Sequence, residues 1–124
     1  MKNYTLTPTP KTPRIYFNFE TGDFEISGRS IPENSIEFYR PLMEWLDKYV
    51  ENPHSKTRLT INLEYFNTSS SKCLVEIFRK LERTLEKSDS KILWHYEEED
   101  EDMMESGEDY QKIIKVPIEL IVTG

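Results

Sequence analysis

The 124-residue sequence is poor in the features that mark secreted or membrane proteins. Its single cysteine, Cys73, cannot form an internal disulfide bond. No stretch approaches the roughly 20 apolar residues that a membrane helix needs. The first ten residues, MKNYTLTPTP, lack the apolar run of a signal peptide. We therefore expect a cytoplasmic protein.

Glycine and histidine are also scarce. The four glycines form neither of the glycine-rich motifs that hold nucleotide phosphates. His54 lies in a proline-containing loop, and His95 lies in a predicted strand between two aromatic residues, where a structural role is the default. Cys73 falls within a predicted helix as a small packing residue. The sequence therefore predicts no catalytic residue, no cofactor and no enzyme.

Basic residues are too few and too scattered to form a cationic surface. The formal net charge is −7, and nine carboxylates with no Lys or Arg fall in residues 97–109. Nucleic acids and anionic membranes both require many cationic contacts. We therefore expect neither a nucleic acid nor a membrane as the partner, and a partner protein instead.

The apolar pattern predicts one α/β domain over residues 1–124, in which residues 1–13, with three Thr-Pro pairs, form an extended N-terminal arm. The order of elements is β-β-α-β-α-β-α-β. Strands are predicted in RIYFNF, FEISG, RLTINLEYF, KILWHY and VPIELIV, with the last of them at or near an edge because of Pro117. RLTINLEYF alternates in a way that suggests a central strand covered on both faces to different extents.

Three helices are predicted between these strands. They cover about residues 35 to 51, the segment SKCLVEIFRKLERTLEK, and, with a weaker pattern interrupted by Gly107, the acidic segment. Pro41 should make the first turn of the first helix irregular or restart the helix. Strands separated by helices pair in parallel, and the initial hairpin adds one antiparallel strand. The prediction is a mixed, mostly parallel five-stranded sheet.

Three loops of this sheet, GRSIPEN, NTSSSK and EEEDED, follow strands whose carboxyl ends meet at one edge. Ligands of open α/β sheets usually bind at that edge. We therefore predict a partner-binding rim there, formed by Arg29, Ser30, Pro32, Glu33, Asn34, Asn67, Thr68, Ser69, Ser70, Lys72, Glu98 and Asp100.

Four consecutive hydroxyl residues, Thr68 to Ser71, stand where the third predicted strand meets the second helix. One of them is expected to cap the helix, which stabilises it by roughly 1 kcal/mol. The helix dipole and free N–H groups also favour an anion at this position. A phosphate could belong to a bound metabolite or be attached to one of these side chains, so capping, metabolite binding and phosphorylation all remain open.

The acidic block gives a second alternative. Glu97, Asp100, Glu101 and Glu105 could share one helical face and bind Mg²⁺ or Ca²⁺. The block lacks the spacing and the glycine of an EF-hand, and acidic residues are favoured at a helix start without any metal. A solvated acidic face is therefore the simpler interpretation, and we predict no metal site.

Three segments together carry a specific likeness to a known family. They are the stretch from TPKTPRIYF to MEWLDKY, LEYFNTSSSK, and WHYEEEDEDMMESGEDY, and they span nearly the whole chain. On these residues the sequence resembles the SiaC family of bacterial regulatory phosphoproteins. The element order also resembles the STAS class of anti-sigma-factor antagonists, whose phosphorylated hydroxyl lies where Thr68 to Ser70 lie here.

The resemblance implies a non-enzymatic partner-switching regulator. A cognate kinase would phosphorylate Thr68 in the Asn67-Thr68-Ser69-Ser70 motif, with Ser69 and Ser70 as alternates. A metal-dependent serine/threonine phosphatase would reverse the modification. The unphosphorylated form would bind and activate an effector, a diguanylate cyclase.

Overall fold

The computed structural model describes residues 1–123 and has an α/β architecture. Its elements are β1 (Tyr4–Leu6), β2 (Arg14–Asn18), β3 (Asp23–Ser30), α1 (Ser35–Tyr49), β4 (Lys56–Phe66), α2 (Thr68–Glu82), β5 (Asp89–Glu97), α3 (Glu101–Ile113) and β6 (Ile118–Thr123). The eight predicted elements occur in the predicted order, and β1 is an additional strand.

The strands form one six-stranded sheet in the order β1-β2-β3-β4-β5-β6. The first two pairings are antiparallel and the other three are parallel. The prediction of a five-stranded, mostly parallel sheet was wrong in its strand count, because residues 4–6 of the expected arm pair with β2. A strand of three residues is too short to show an alternating pattern, so the sequence of residues 4–6 does not predict a strand there.

All three helices pack on one face of the sheet. Neighbouring parallel strands follow one another along the chain, and right-handed connections then put every helix on the same side. Residues of all three helices share one apolar core with the inward-facing strand residues. One inward row crosses the sheet through Leu6, Ile15, Ile26, Ile61, Trp94 and Leu120.

In the described residues 1–123, the opposite face of the sheet carries no helix. Ion pairs cross its strands, with Arg14 2.9 Å from Glu25 and Lys91 2.9 Å from Glu119. The two faces of the central strand β4 are covered to different extents, as expected. Its core-facing side chains are buried, whereas on the other face Arg58 and Thr60 are half-buried and Asn62 is exposed.

Helix α1 runs without a break through Pro41. The prediction of an irregular or restarted helix was wrong. Pro41 is exposed, so water can reach the carbonyl group that its missing N–H leaves free. Within residues 1–123, no helix is both long enough and apolar enough to cross a lipid bilayer.

Helix α3 continues through Gly107, which packs directly against the sheet. A Cβ atom at this position would lie 2.6 Å from Trp94 Cδ1 and 2.6 Å from Leu120 Cδ2. Trp94 is fully buried, and its Nε1 donates a hydrogen bond to the carbonyl of Met103 in the first turn of α3, at 2.9 Å. The glycine that weakens the helical pattern is therefore the residue that allows α3 to approach the sheet.

Candidate functional site

The three helices begin at the same edge of the sheet, each after one of the parallel strands β3, β4 and β5. Asn34, Asn67 and Asp100 are the N-caps of α1, α2 and α3, and each side chain accepts a hydrogen bond from a backbone N–H of the first turn. The predicted convergence of the three loops follows directly from this topology. We call this edge the rim, defined by residues 28–36, 64–72 and 97–102.

Backbone contacts join the first two loops of the rim. Arg29 lies beside Tyr65 and Ser30 beside Phe66 in the β3–β4 pairing, after a register shift at Gly28. Gly28 has a φ of +106°, a conformation that other residues rarely adopt. The N–H of Asn67 then donates to the carbonyl of Ser30 at 3.0 Å. The start of α2 is thereby fixed against the end of β3.

The capping role expected of a hydroxyl residue belongs to Asn67 instead. Helix α2 begins at Thr68, earlier than the predicted segment that starts at Ser71, so all four hydroxyl residues lie in its first turn. The Asn67 side chain accepts from the N–H of Ser70 at 2.9 Å. Asn67 lies in the sequence beside four other capping candidates, which is why the pattern does not single it out. The hydroxyl groups are free for other contacts.

Ser70 is the centre of a buried hydroxyl network. It is fully buried, and its Oγ donates to the carbonyl of Ser30 at 3.0 Å and accepts from Ser30 Oγ at 2.8 Å. The hydroxyls of Ser30 and Tyr39 lie 2.6 Å apart. Burial raises the pKa of the Tyr39 phenol far above its ordinary value, so this group stays neutral. The network ties α2 to β3 and α1 through uncharged groups.

Burial affects three residues of the predicted partner surface, two of them in this network. Ser30 and Ser70 are fully buried, and Pro32 is also buried. In this packing a partner does not reach the side chains at these positions, and a kinase does not reach the Ser70 hydroxyl, so burial argues against both predicted roles. The cause is packing between β3, α1 and α2, which a sequence pattern of polar loop residues does not reveal.

Ser69 and Ser71 are held by neighbouring helices. Ser69 Oγ lies 2.7 Å from Ser35 Oγ in the first turn of α1, and it donates to Asn67 Oδ1 at 3.2 Å. Ser71 Oγ lies 2.6 Å from the hydroxyl of Tyr110 in α3. These two serines join the start of α2 to both of the other helices.

Thr68 differs from the three serines that follow it. It is exposed and occupies the first position of α2, where the helix dipole favours negative charge. Over the described residues 1–123, its hydroxyl has no hydrogen-bond partner. Of the four hydroxyl groups in this turn, it is the one that solvent or another protein can reach without breaking a contact.

Several charged residues share the rim with Thr68. Lys72, one helical turn later, and Arg29 are both exposed, and neither forms an ion pair with any other residue from 1 to 123. Glu33 is exposed on the loop before α1. Cationic side chains are thus present near the turn but are not organised by fixed partners.

The acidic block borders a cleft at the rim. Strand β4 continues beyond its last pair with β5, Ile61 with Trp94, and the two strands separate there. Glu64 of β4 faces Glu97 and Asp100 across a cleft of about 230 Å³. Asp100 is half-buried and caps α3, whereas Glu98 is exposed.

The metal alternative finds no support in the arrangement of these carboxylates. Among residues 1–123, no three His, Cys, Asp or Glu side chains are grouped as metal ligands would be. Asp100 already accepts from the N–H of Met103 at 3.0 Å. The acidic residues at the start of α3 fit the ordinary preference of a helix N-terminus for negative charge.

Two apolar residues of the rim were missed by the sequence prediction. Tyr65 is 54% exposed at the end of β4, and Ile36 is 68% exposed in the first turn of α1. The register shift between β3 and β4 interrupts the inward-facing alternation of Leu59, Ile61 and Leu63 before Tyr65. Phe66 packs against Trp94 in the core instead, and Tyr65 is left exposed. The sequence could have indicated both, because Tyr65 lies three residues before Thr68 and Ile36 lies two residues after the GRSIPEN loop.

Comparisons with known proteins agree on one family. Residues 6–123 match the model of the SiaC family regulatory phosphoprotein. An uncharacterized protein of Pseudomonas aeruginosa (strain UCBPP-PA14) is 28% identical over 118 residues, which cover 94% of each chain.

Solved structures give the same result. The crystal structure of apo-SiaC from Pseudomonas aeruginosa has a TM-score of 0.88 and 25% identity, covering 98% of this chain and 100% of that chain. SiaC in the crystal structure of the diguanylate cyclase SiaD in complex with its activator SiaC, also from Pseudomonas aeruginosa, has a TM-score of 0.88 and 25% identity, covering 97% of this chain and 99% of that chain. With a family match over nearly its whole length and the same fold, this chain belongs to the SiaC family of regulatory phosphoproteins.

Proposed function

We propose that this chain is a non-enzymatic partner switch whose phosphorylation site is Thr68. The observation that carries the proposal is the difference among the four hydroxyl groups at the start of α2. Ser69, Ser70 and Ser71 each bond to another element of the fold, whereas Thr68 is exposed and unbonded over residues 1–123. A kinase can reach Thr68 without unfolding the turn. Ser69 is the alternate acceptor, at the expense of its contact with Ser35.

The partners are a cognate kinase, a serine/threonine phosphatase and an effector. We infer that the effector is a diguanylate cyclase, because the related SiaC of Pseudomonas aeruginosa is the activator of the cyclase SiaD and forms a complex with it. Binding and activation require only a surface, so the chain itself needs no catalytic residue. The docking surface is the part of the rim that is exposed or half-buried: Arg29, Glu33, Asn34, Asn67, Thr68, Ser69, Lys72, Glu98 and Asp100.

Phosphorylation would oppose docking through charge and hydration. A phosphothreonine carries about −1.5 to −2 charges. Burying such a group beneath a partner without dedicated cationic contacts costs several kcal/mol. Lys72 and Arg29 form no ion pair within residues 1–123 that would hold them toward Thr68, and the carboxylates of Glu64, Glu97 and Asp100 stand at the same rim. A loss of about 3 kcal/mol weakens binding more than a hundredfold, which is sufficient for a switch.

Intact-mass analysis of the purified chain, incubated with ATP and its cognate kinase, tests the phosphorylation site. We expect the wild type to gain the mass of one phosphoryl group, Thr68→Ala to gain none, and the matched variant Ser69→Ala to gain one. Full phosphorylation of Thr68→Ala would contradict the assignment.

The output is tested separately, by the rate at which purified diguanylate cyclases of the same organism form product. We expect the unphosphorylated chain to bind and activate one cyclase and the phosphorylated chain to do neither. Equal activation by both forms would refute the switch even if Thr68 is the acceptor.

A further inference from the structure

A groove lies between α1 and α2, directly next to the rim. It has a volume of about 240 Å³, and its apolar lining comes from both helices. Tyr39 and Cys73 are buried at its base, and Met43 is half-buried along its side. The groove therefore offers a concave apolar surface to another molecule, next to the turn that carries Thr68.

Ile36 stands at the mouth of this groove. With 68% of its surface exposed, it is the most exposed large hydrophobic side chain in the described part of the chain. The residue before it, Ser35, lies against Ser69 of α2 at 2.7 Å between hydroxyl oxygens. Because Ser35 and Ser69 adjoin Ile36 and Thr68 in the sequence, this hydrogen bond holds the mouth of the groove close to the proposed phosphorylation site.

The α2 side of the groove continues from Thr68. Residues four apart in a helix lie one above the other on the same face, which aligns Thr68, Lys72 and Glu76. Glu76 also lines the groove. Thr68 and the groove are therefore two parts of one continuous surface, and a protein that covers one reaches the other.

The two sides of the groove carry unpaired negative charge. Glu44 projects from α1 and Glu76 from α2; both are exposed, and neither forms an ion pair within residues 1–123. The cation in the lining, Arg40, is already paired with Glu37. Glu76 contributes to a raised pKa of the Cys73 thiol, behind the larger effect of burial, which agrees with a position facing the groove.

We propose that this groove is the docking site for a segment of the effector that places an aliphatic or aromatic side chain against Ile36 and Met43 and a Lys or Arg between Glu44 and Glu76. This proposal rests on the proposed function, because it names the surface that the effector uses. Apolar anchors in a pocket, surrounded by polar contacts, are the usual centre of a protein interface.

The charges of the groove favour this occupant over a second copy of the chain. In a symmetric dimer across the groove, Glu44 and Glu76 of one copy would face the same carboxylates of the other. Like charges placed opposite one another across an interface are unfavourable. A basic segment of a different protein meets both the apolar lining and the unpaired carboxylates.

The test uses the unphosphorylated full chain and the diguanylate cyclase that it activates, with affinity measured by titration calorimetry. We expect Ile36→Ser and the double variant Glu44→Lys/Glu76→Lys each to weaken binding at least about tenfold. The matched controls are Ile113→Ser, which removes an exposed isoleucine of α3, and Glu86→Lys, which reverses an exposed charge beyond α2. The controls should bind within about twofold of wild type.

The outcomes separate the groove from the switch. Wild-type activation of the cyclase, together with unchanged affinity of Ile36→Ser and of the double variant, would overturn the groove and leave the proposed function intact. Failure of the wild type to bind any diguanylate cyclase of its organism would overturn both. A dimer of the wild type in sedimentation, lost in Ile36→Ser, would assign the groove to a second copy and overturn the basic effector segment.

Discussion

The residues at the start of α2 have different structural roles, which the sequence pattern of four consecutive hydroxyl residues does not distinguish. Asn67 caps the helix, Ser70 fills the buried junction with β3, and Ser69 and Ser71 bond to α1 and α3. Only the cap was expected to be needed, and it was expected from a hydroxyl residue. The serines bond to three other elements, and the Thr68 hydroxyl is left without a hydrogen bond within residues 1–123.

Ser70→Ala should destabilise the fold although it removes a single oxygen atom. Ser70 Oγ bonds with both the hydroxyl and the carbonyl of Ser30 in a fully buried position. Removing it takes one buried hydrogen bond from each of these two groups, which keep only their bonds to Tyr39 and to the N–H of Asn67, and this costs about 1–3 kcal/mol in total. Urea denaturation followed by circular dichroism measures this loss in the free energy of unfolding.

Thr68→Ala is the matched control, because it also removes a hydroxyl group from the first turn of α2. Its free energy of unfolding should stay within about 0.5 kcal/mol of wild type. If both variants proved equally stable, the buried network would not hold α2 in place.

At the scale of elements, hydrophobic periodicity was sufficient for most helices and strands but not for their interruptions. The alternating residues of β4 and the apolar stripe of α2 are long enough to be recognised. Gly107 and Pro41 look like interruptions in sequence, yet both lie inside continuous helices. Gly107 is explained by its contact with the sheet, and Pro41 is explained by its exposure to solvent. Both depend on the tertiary structure, so the neighbouring residues in the sequence do not reveal them.

Gly107→Ala should lower stability, although alanine is the better helix former. Its Cβ would lie 2.6 Å from Trp94 Cδ1, and Trp94 is fully buried and bonded to Met103. Forcing α3 away from the sheet costs about 1–3 kcal/mol, which outweighs a propensity gain of about 1 kcal/mol. The urea midpoint of the variant measures the difference.

Glu108→Ala provides the control on the same helix, since Glu108 is exposed. It should shift the free energy of unfolding by no more than about 0.5 kcal/mol. A Gly107→Ala protein as stable as this control would mean that α3 can move away from the sheet freely.

At the scale of the whole molecule, topology explains what sequence reasoning could and could not reach. Strand order and right-handed connections bring the loops after β3, β4 and β5 to one rim, and this convergence follows from element order alone. Side-chain burial does not follow from it, so Ser30, Pro32 and Ser70 were assigned to the surface while Ile36 and Tyr65 were overlooked. The pairing of β1 with β2 likewise depends on distant residues.

Phosphorylation of Thr68 should leave the fold unchanged. The hydroxyl bonds to nothing within residues 1–123, so the modification breaks no contact, and the dipole of α2 together with Lys72 favours the added charge. We expect the free energy of unfolding to change by less than about 1 kcal/mol. Amide hydrogen exchange of both forms measures this residue by residue, and loss of protection in β3 or α1 on phosphorylation would instead indicate a refolding switch.

The placement of every helix start on a single edge has a consequence for the timing of signalling. Under the proposed function, kinase, phosphatase and effector all approach that edge, so they exclude one another. An effector already seated there hides the threonine, and the kinase must wait until the complex dissociates. The lifetime of the complex would then set the delay between stimulus and response, and an abundant effector would keep part of the pool out of the kinase's reach.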